Sequence, residues 1–312
     1  MQLYYKIAAV LFIIWLLFLI SRRIWEYFFP KALPADAVLP DSKFIQVGEF
    51  NIRYVQRGSK NSPNVLLIHG LCASIYSWRM IIDDLAKDFF VTAFDLPGFG
   101  LSDKHPECSY GLDAQTERVF ALMDTLNISD FNLIGHSLGG GLAAWMAKVH
   151  PKRIHKLCLI GPAINQRFLP ITPDSWLWGF HLVKKFVITP RVIKRVYKHV
   201  SYRHNPPDIA EIIYNYYRPY HNSPNAAVAF FKSIELVRDQ RLVSSVSNLI
   251  SPTLVLYADH DRVIKKKRIE KYLNANPQVK GVLIRSCGHM LAEEKPDIIL
   301  QNIREFFDDI KK

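Results

Sequence analysis

Apolar residues in this chain fall into two alternating patterns. Short unbroken runs such as Val65-Leu66-Leu67-Ile68, Phe131 to Ile134 and Thr253 to Tyr257 read as buried strands. Between them the apolar positions return at helical spacing, as in Leu142 to Ala147. The patterning predicts strands over about 43–48, 51–57, 64–69, 90–95, 131–135, 156–160, 253–258 and 280–285. It predicts helices over about 76–87, 113–126, 138–149, 264–275 and 293–310. Strand–helix alternation from Val65 to Pro162 implies an α/β fold: a mostly parallel, eight-stranded sheet with helices on both faces. The rhythm stops between about 164 and 250, which reads as an insertion. No internal repeat or low-complexity segment interrupts the pattern.

The candidate chemistry sits where strands end. Phe131 to Ile134 runs into Gly135-His136-Ser137-Leu138-Gly139, a G-x-S-x-G pattern between a strand and a helix. Glycines are needed there because the turn is tight, and the turn lifts the Ser137 hydroxyl into open space near a helix amino terminus. The pattern alone also describes an ordinary Gly-Ser turn. A serine nucleophile needs a base, and the base needs an orienting carboxylate. His289 follows the strand Val282 to Arg285 on the loop Ser286-Cys287-Gly288-His289. Asp259 and Asp261 both follow the strand Thr253 to Tyr257. Asp261 is the first choice for the acid and Asp259 the second. The order Ser137, Asp261, His289 is that of one serine-hydrolase architecture.

With those residues in place the chain resembles the α/β-hydrolase-fold family, in its lidded esterase and lipase form. His69-Gly70, after the strand Val65 to Ile68, is similar to the family's oxyanion loop. Asp95-Leu96-Pro97-Gly98-Phe99-Gly100-Leu101-Ser102 is similar to the loop after the next strand. Gly135 to Gly139 resembles the nucleophile elbow, and Asp261 and Gly288-His289 resemble the acid and histidine loops. The likeness covers roughly 43–163 and 251–312. It implies catalytic Ser137, Asp261 and His289, with the backbone N–H groups of Leu71 and Leu138 as the oxyanion hole. His69 is expected to anchor its loop. Ala258 stands where relatives usually carry glycine, which constrains the acid loop slightly.

The predicted organisation is a hydrophobic N-terminal segment at 1–29, a linker at 30–42, core at 43–163, a helical lid at 164–250 and core again at 251–312. Ile7 to Ile20 is continuously apolar, and Leu3 to Lys6 extends it toward the ~20 residues that span a bilayer. Tyr4, Tyr5, Trp25, Tyr27, Phe28 and Phe29 flank it as interface aromatics. An uncleaved anchor is the first reading and a cleaved signal peptide the second. Arg22 and Arg23 follow the run where a signal peptide would carry small residues. Lys6 on one side against Arg22, Arg23 and Lys31 on the other favours a cytoplasmic catalytic domain.

The charge is concentrated in the insertion. The chain carries +12 overall, and 164–250 holds 12 Lys and Arg against 5 Asp and Glu. Val192, Ile193, Val196, Tyr197 and Val200 fall on one helical face, with Lys194, Arg195 and Lys198 opposite. Such a helix suits either an anionic bilayer surface or a solvated lid packed on the core. Trp176, Trp178, Phe180 and Phe186 either line an acyl pocket or form the lid's own core. No nucleic-acid motif accompanies the charge. Cys72, Cys158 and Cys287 read as small apolar filler, and nothing spaces the four cysteines for zinc. No dinucleotide or phosphate loop is present, so no cofactor is expected. The expected partners are a hydrophobic ester and a membrane lipid surface. A C–C bond hydrolase or thioesterase could use the same residues, and a non-catalytic scaffold is the remaining alternative.

Overall fold

The computed structural model describes residues 15–21, 39–164 and 189–308, apart from 205, 207, 222 and 224. The chain divides into two compact units, 1–35 and 36–312. Of the first, a helical stretch at 15–21 is described, with Trp15, Leu16, Leu17, Phe18 and Ile20 exposed. The rest of the expected anchor lies outside the described residues. No helix among the described residues is long and apolar enough to cross a membrane.

The second unit is built on one eight-stranded sheet in the order β1-β2-β4-β3-β5-β6-β7-β8. Its strands are β1 (Lys43–Val47), β2 (Phe50–Arg57), β3 (Asn64–Ile68), β4 (Phe90–Phe94), β5 (Phe131–His136), β6 (Ile154–Ile160), β7 (Thr253–Ala258) and β8 (Val279–Ile284). β1 and β2 pair antiparallel, as do β2 and β4, and the remaining pairs are parallel. Successive side chains of a strand feed opposite faces. Leu66 and Ile68 join the cluster under α2 (Leu112–Thr125) and α3 (Leu138–Val149), while Val65 and Leu67 join the cluster under the C-terminal helix. All four are fully buried, and each contributes about 1.5–3 kcal/mol relative to an exposed position. Burial on both faces explains why these strands read as unbroken apolar runs. Leu39, which the sequence places in a linker, is already part of this core.

The helices depart from expectation at two places. The single helix expected over 76–87 is a tight turn at Ile75–Trp78 followed by α1 (Ile82–Leu85). Buried Ile75, Trp78 and Ile81 recur every third residue, a spacing that suits a tighter helix than α. The helix expected over 293–310 is α9 (Leu291–Glu294) and then α10 (Pro296–Asp308). Pro296 has no N–H to continue the ladder and opens the new helix instead. α8 (Lys266–Ala275) begins two residues later than expected, because Asp261 Oδ1 accepts the N–H groups of Val263 and Ile264 at 2.8 and 2.7 Å.

Between β6 and β7 the described residues are mostly helical. Their elements are α4 (Pro190–Val196), a wider π turn at Tyr197–Ser201, α5 (Ile209–His221), α6 (Ala226–Arg238) and α7 (Arg241–Ser247). Trp176, Trp178, Phe180 and Phe186 lie outside the described residues. β3 stands between β4 and β5, so the chain leaves β3 to one side and returns past it to the other. The loops after β3 and β5 therefore diverge at their carboxyl ends and open a crevice, where ligands bind in open α/β sheets.

Candidate active site

Ser137 lies in that crevice, at the end of β5. Its backbone has φ 54° and ψ −116°, a sparsely populated region costing about 1–3 kcal/mol. The surroundings hold it there. Ser137 N–H donates to Ile160 O at 3.0 Å, and its carbonyl accepts from Gly140 N and Ala163 N at 3.0 and 2.8 Å. The two glycines of the pattern are required by backbone approach. A Cβ on Gly135 would lie 2.3 Å from Gly139 O, and one on Gly139 would lie 2.3 Å from Ile68 O. The elbow thus packs β5, α3 and the end of β3 closer than any side chain permits.

His289 and Asp261 complete a relay. His289 Nε2 is 3.0 Å from Ser137 Oγ, and His289 Nδ1 is 2.7 Å from Asp261 Oδ2. A carboxylate only accepts, so the imidazole carries its proton on Nδ1 and leaves Nε2 to accept from the serine hydroxyl. The side chains of His289 and Asp261 are 7% and 2% exposed. Burial pushes the Asp261 carboxyl up, but His289 and the N–H groups of Ile264 and Val263 outweigh it and hold it below the usual range. Asp259 stands apart. Its carboxylate accepts from His260 Nδ1 at 2.7 Å and from Cys287 N at 3.3 Å. Burial opposes those bonds, yet they bring it down to about 2. The structure brings Asp261, not Asp259, to His289. Ala258 ends β7 without positive φ, so alanine fits there unstrained.

Leu71 and Leu138 both line the cavity beside Ser137. Leu138 is the first residue of α3, so its N–H has no acceptor within the helix and faces the helix's positive end. His69 is fully buried, donates from Nδ1 to Gly70 O at 2.8 Å and accepts Leu96 N–H on Nε2 at 3.0 Å. Burial lowers its pKa against the pull of Asp95, and it pins the loop after β3 as a neutral ring. Cys72 lines the cavity with its thiol pushed up to about 12 by burial. All four cysteines are free.

The cavity over Ser137 and His289 holds about 300 Å³. Val192, Ile193, Val196 and Tyr197 form one wall, with Tyr220 and Phe230 among the other lining residues, and among the described residues no Lys, Arg, Asp or Glu lines it. Val192, Ile193, Val196 and Tyr197 of that apolar face therefore reach the cavity, whereas Val200 does not and is exposed, as are Lys194, Arg195 and Lys198. Among the described residues no cluster of His, Cys, Asp and Glu could hold a metal ion.

Two contributions escaped the sequence. His136, inside the G-x-S-x-G pattern, donates from Nε2 to the carbonyl of His289 at 2.9 Å. Burial, with His289 nearby, takes its pKa down to about 3, so it is a neutral donor. The position within the motif was the available signal. From the other side His289 N–H donates to Ser201 O at 2.6 Å. Nothing in the sequence marks Ser201, because the wider turn that presents its carbonyl follows from packing.

The family model for the alpha/beta hydrolase fold matches residues 63–296. The uncharacterized hydrolase YugF of Bacillus subtilis is 25% identical over 87% of this chain and 99% of its own. The human monoacylglycerol lipase ABHD6 is 22% identical over 92% of this chain and 87% of its own. Among solved structures, a membrane phospholipase A described as a bacterial virulence factor superposes with a TM-score of 0.72. It is 27% identical and covers 100% of this chain and 97% of its own.

Proposed function

The chain belongs to the alpha/beta hydrolase fold family, and from that premise we propose that it is a serine hydrolase of carboxylic esters with apolar, lipid-like acyl groups. One observation carries the reading: the Ser137–His289–Asp261 relay opens onto a cavity lined, among the described residues, mainly by apolar side chains with no Lys, Arg, Asp or Glu. His289 Nε2 takes the Ser137 proton as Oγ attacks the ester carbonyl, and Asp261 stabilises the imidazolium. The N–H groups of Leu71 and Leu138 receive the oxyanion, each donor supplying roughly 2.7–4 kcal/mol in comparable sites. The alcohol leaves with the proton from His289. Water, deprotonated by the same ring, then releases the acid from the acyl-enzyme.

The rivals differ in the pocket. An acidic acyl group would call for a cation to pair with it, and the described lining residues include none. An aspartate-nucleophile hydrolase of this fold would need a carboxylate at the elbow, where Ser137 stands. Likeness to a monoacylglycerol lipase and a membrane phospholipase supports the lipid-like substrate. Attachment through one N-terminal helix, with a cytoplasmic catalytic domain, belongs to the same proposal, supported by the apolar run Ile7 to Ile20. A fluorophosphonate probe followed by esters and thioesters of graded chain length tests the reading. Labelling at Ser137 and a preference for medium or long acyl esters is the expected result. An unlabelled Ser137 in folded protein, or a preference for acidic acyl groups, overturns it.

A further inference from the structure

Outside the relay, a buried ionisable group near the site is Glu293, four residues after His289. Its side chain is 2% exposed. It accepts from Arg79 Nη2 at 2.8 Å and from the hydroxyls of Tyr202 and Tyr216. The three donors come from two other parts of the chain. Arg79 closes the tight turn that follows Gly70-Leu71, and its guanidinium lies 4.2 Å over the Tyr76 ring. Tyr202 and Tyr216 belong to the stretch between β6 and β7. Ala73, Tyr76, Tyr197, Tyr202, Tyr216 and Met290 pack as one small apolar cluster, separate from the two cores of the sheet.

The neighbouring bonds repeat the arrangement. Glu294 accepts Gly288 N–H on one oxygen at 2.8 Å and Arg203 N–H on the other at 2.8 Å. Arg262 donates to His199 O. The backbone of His289 itself is gripped between His136 on the β5 side and Ser201 on the insertion side. A carboxylate that merely secured α9 would find its partners within α9. Glu293 instead ties the segment carrying Leu71, the segment carrying His289 and the insertion to one buried point.

We propose that Glu293 is a positioning residue for the hydrolytic relay, setting His289 and the Leu71 N–H in register only while the insertion is seated on Tyr202 and Tyr216. The inference rests on the serine-hydrolase reading above. It makes the insertion part of the catalytic geometry rather than a passive cover. The test uses the full chain with a soluble short-chain ester too small to need the cavity wall, at a temperature where circular dichroism shows each variant folded. Glu293→Ala should lower kcat about 100-fold, the scale of a misplacement near 1 Å, with KM little changed. Glu293→Gln, which keeps the shape and one acceptor oxygen for a tyrosine hydroxyl, should recover part of that loss. Tyr202→Phe and Tyr216→Phe, which keep the rings, should each lower kcat by about three- to tenfold, and together by more. Should Glu293→Ala not fold, the two tyrosine variants decide. Wild-type kcat in those variants, or a rise in KM with kcat unchanged, overturns the proposal, because a carboxylate holding only the fold or the cavity shape gives that pattern. Fluorophosphonate labelling of the wild type separates the two failures: without it the functional reading falls as well.

Discussion

The sheet and the stretch between β6 and β7 serve the same site by different means. Around Ser137 the sheet fixes geometry through backbone packing so close that Gly135 and Gly139 leave no room for a Cβ. The insertion supplies side chains: a wall of Val192, Ile193, Val196 and Tyr197, and hydrogen bonds from Tyr202, Tyr216 and the Ser201 carbonyl. Backbone packing tolerates little variation and imposes a recognisable motif, whereas a side-chain wall can be built in many ways. Chemistry should therefore reside in the sheet and selectivity in the insertion, with Glu293 as the point where the two meet.

The sharpest test of that division is Ser137→Ala. Removing one oxygen from an elbow held by its backbone should leave the fold intact and lower kcat by about 10⁶-fold, as in comparable triads. Ester kinetics beside thermal unfolding check it, and wild-type turnover would place the chemistry elsewhere. Asp261→Asn comes next, with a loss of about 10⁴-fold in kcat, against a small effect for Asp259→Asn. A larger loss at Asp259 would reassign the acid. The same pair gives a pH signature. The Asp261 carboxyl is held below its unfolded value, so its stabilisation is fully present above the ordinary aspartate range near pH 4 and is lost as pH falls through the lower folded value. The stability gap between wild type and Asp261→Asn should accordingly close as the solution is acidified below about pH 4, which denaturant titrations at several pH values measure.

The same division governs what could be read from the sequence. All eight strands were legible: β3 to β7 because strands buried on both faces read as apolar runs, while β1, β2 and β8 keep polar positions where they are exposed. The relay was legible because its three members stand at strand ends in a fixed order. The helix expected over 76–87 failed because spacing alone does not distinguish a tight turn from an α-helix when Ile75, Trp78 and Ile81 all point inward. His136, Ser201 and Glu293 were not legible. Their roles depend on segments far apart in sequence, one of them contributing only a carbonyl; only His136 carried a local signal, its place inside the G-x-S-x-G pattern, and no local pattern encodes the meeting itself. For α4 the amphipathic pattern was correct but left open which surface its apolar face covers.

Val196→Trp sharpens the comparison from the insertion side. Val196 lines the cavity and is 43% exposed, so a larger ring can be accommodated toward the space an acyl chain would fill. Activity on long-chain esters should fall roughly tenfold, since each methylene kept from burial costs about 0.8 kcal/mol. Turnover of an acetyl ester should be unchanged. A parallel loss on both substrates would mean that α4 bears on the relay itself.

The smallest effect expected concerns the outer face of the same element. Lys194, Arg195 and Lys198 are exposed on the side away from the valines that line the cavity. A chain beginning at Asp36 keeps the whole second unit, including buried Leu39, and removes the N-terminal apolar run. It should bind vesicles rich in anionic lipid weakly and release them at high salt, since the attraction decays within a Debye length of about 8–10 Å. Each cation near such a surface contributes about fivefold in affinity, so replacing all three with glutamine should abolish co-sedimentation at low salt. Short-ester turnover should stay the same, because none of the three side chains lines the cavity. If the glutamine variant sediments like the parent, the charged face is only solvated and the insertion serves the site from its inner face alone. If turnover falls with binding, the outer face reaches the relay through α4, and the separation of chemistry from selectivity fails at this helix.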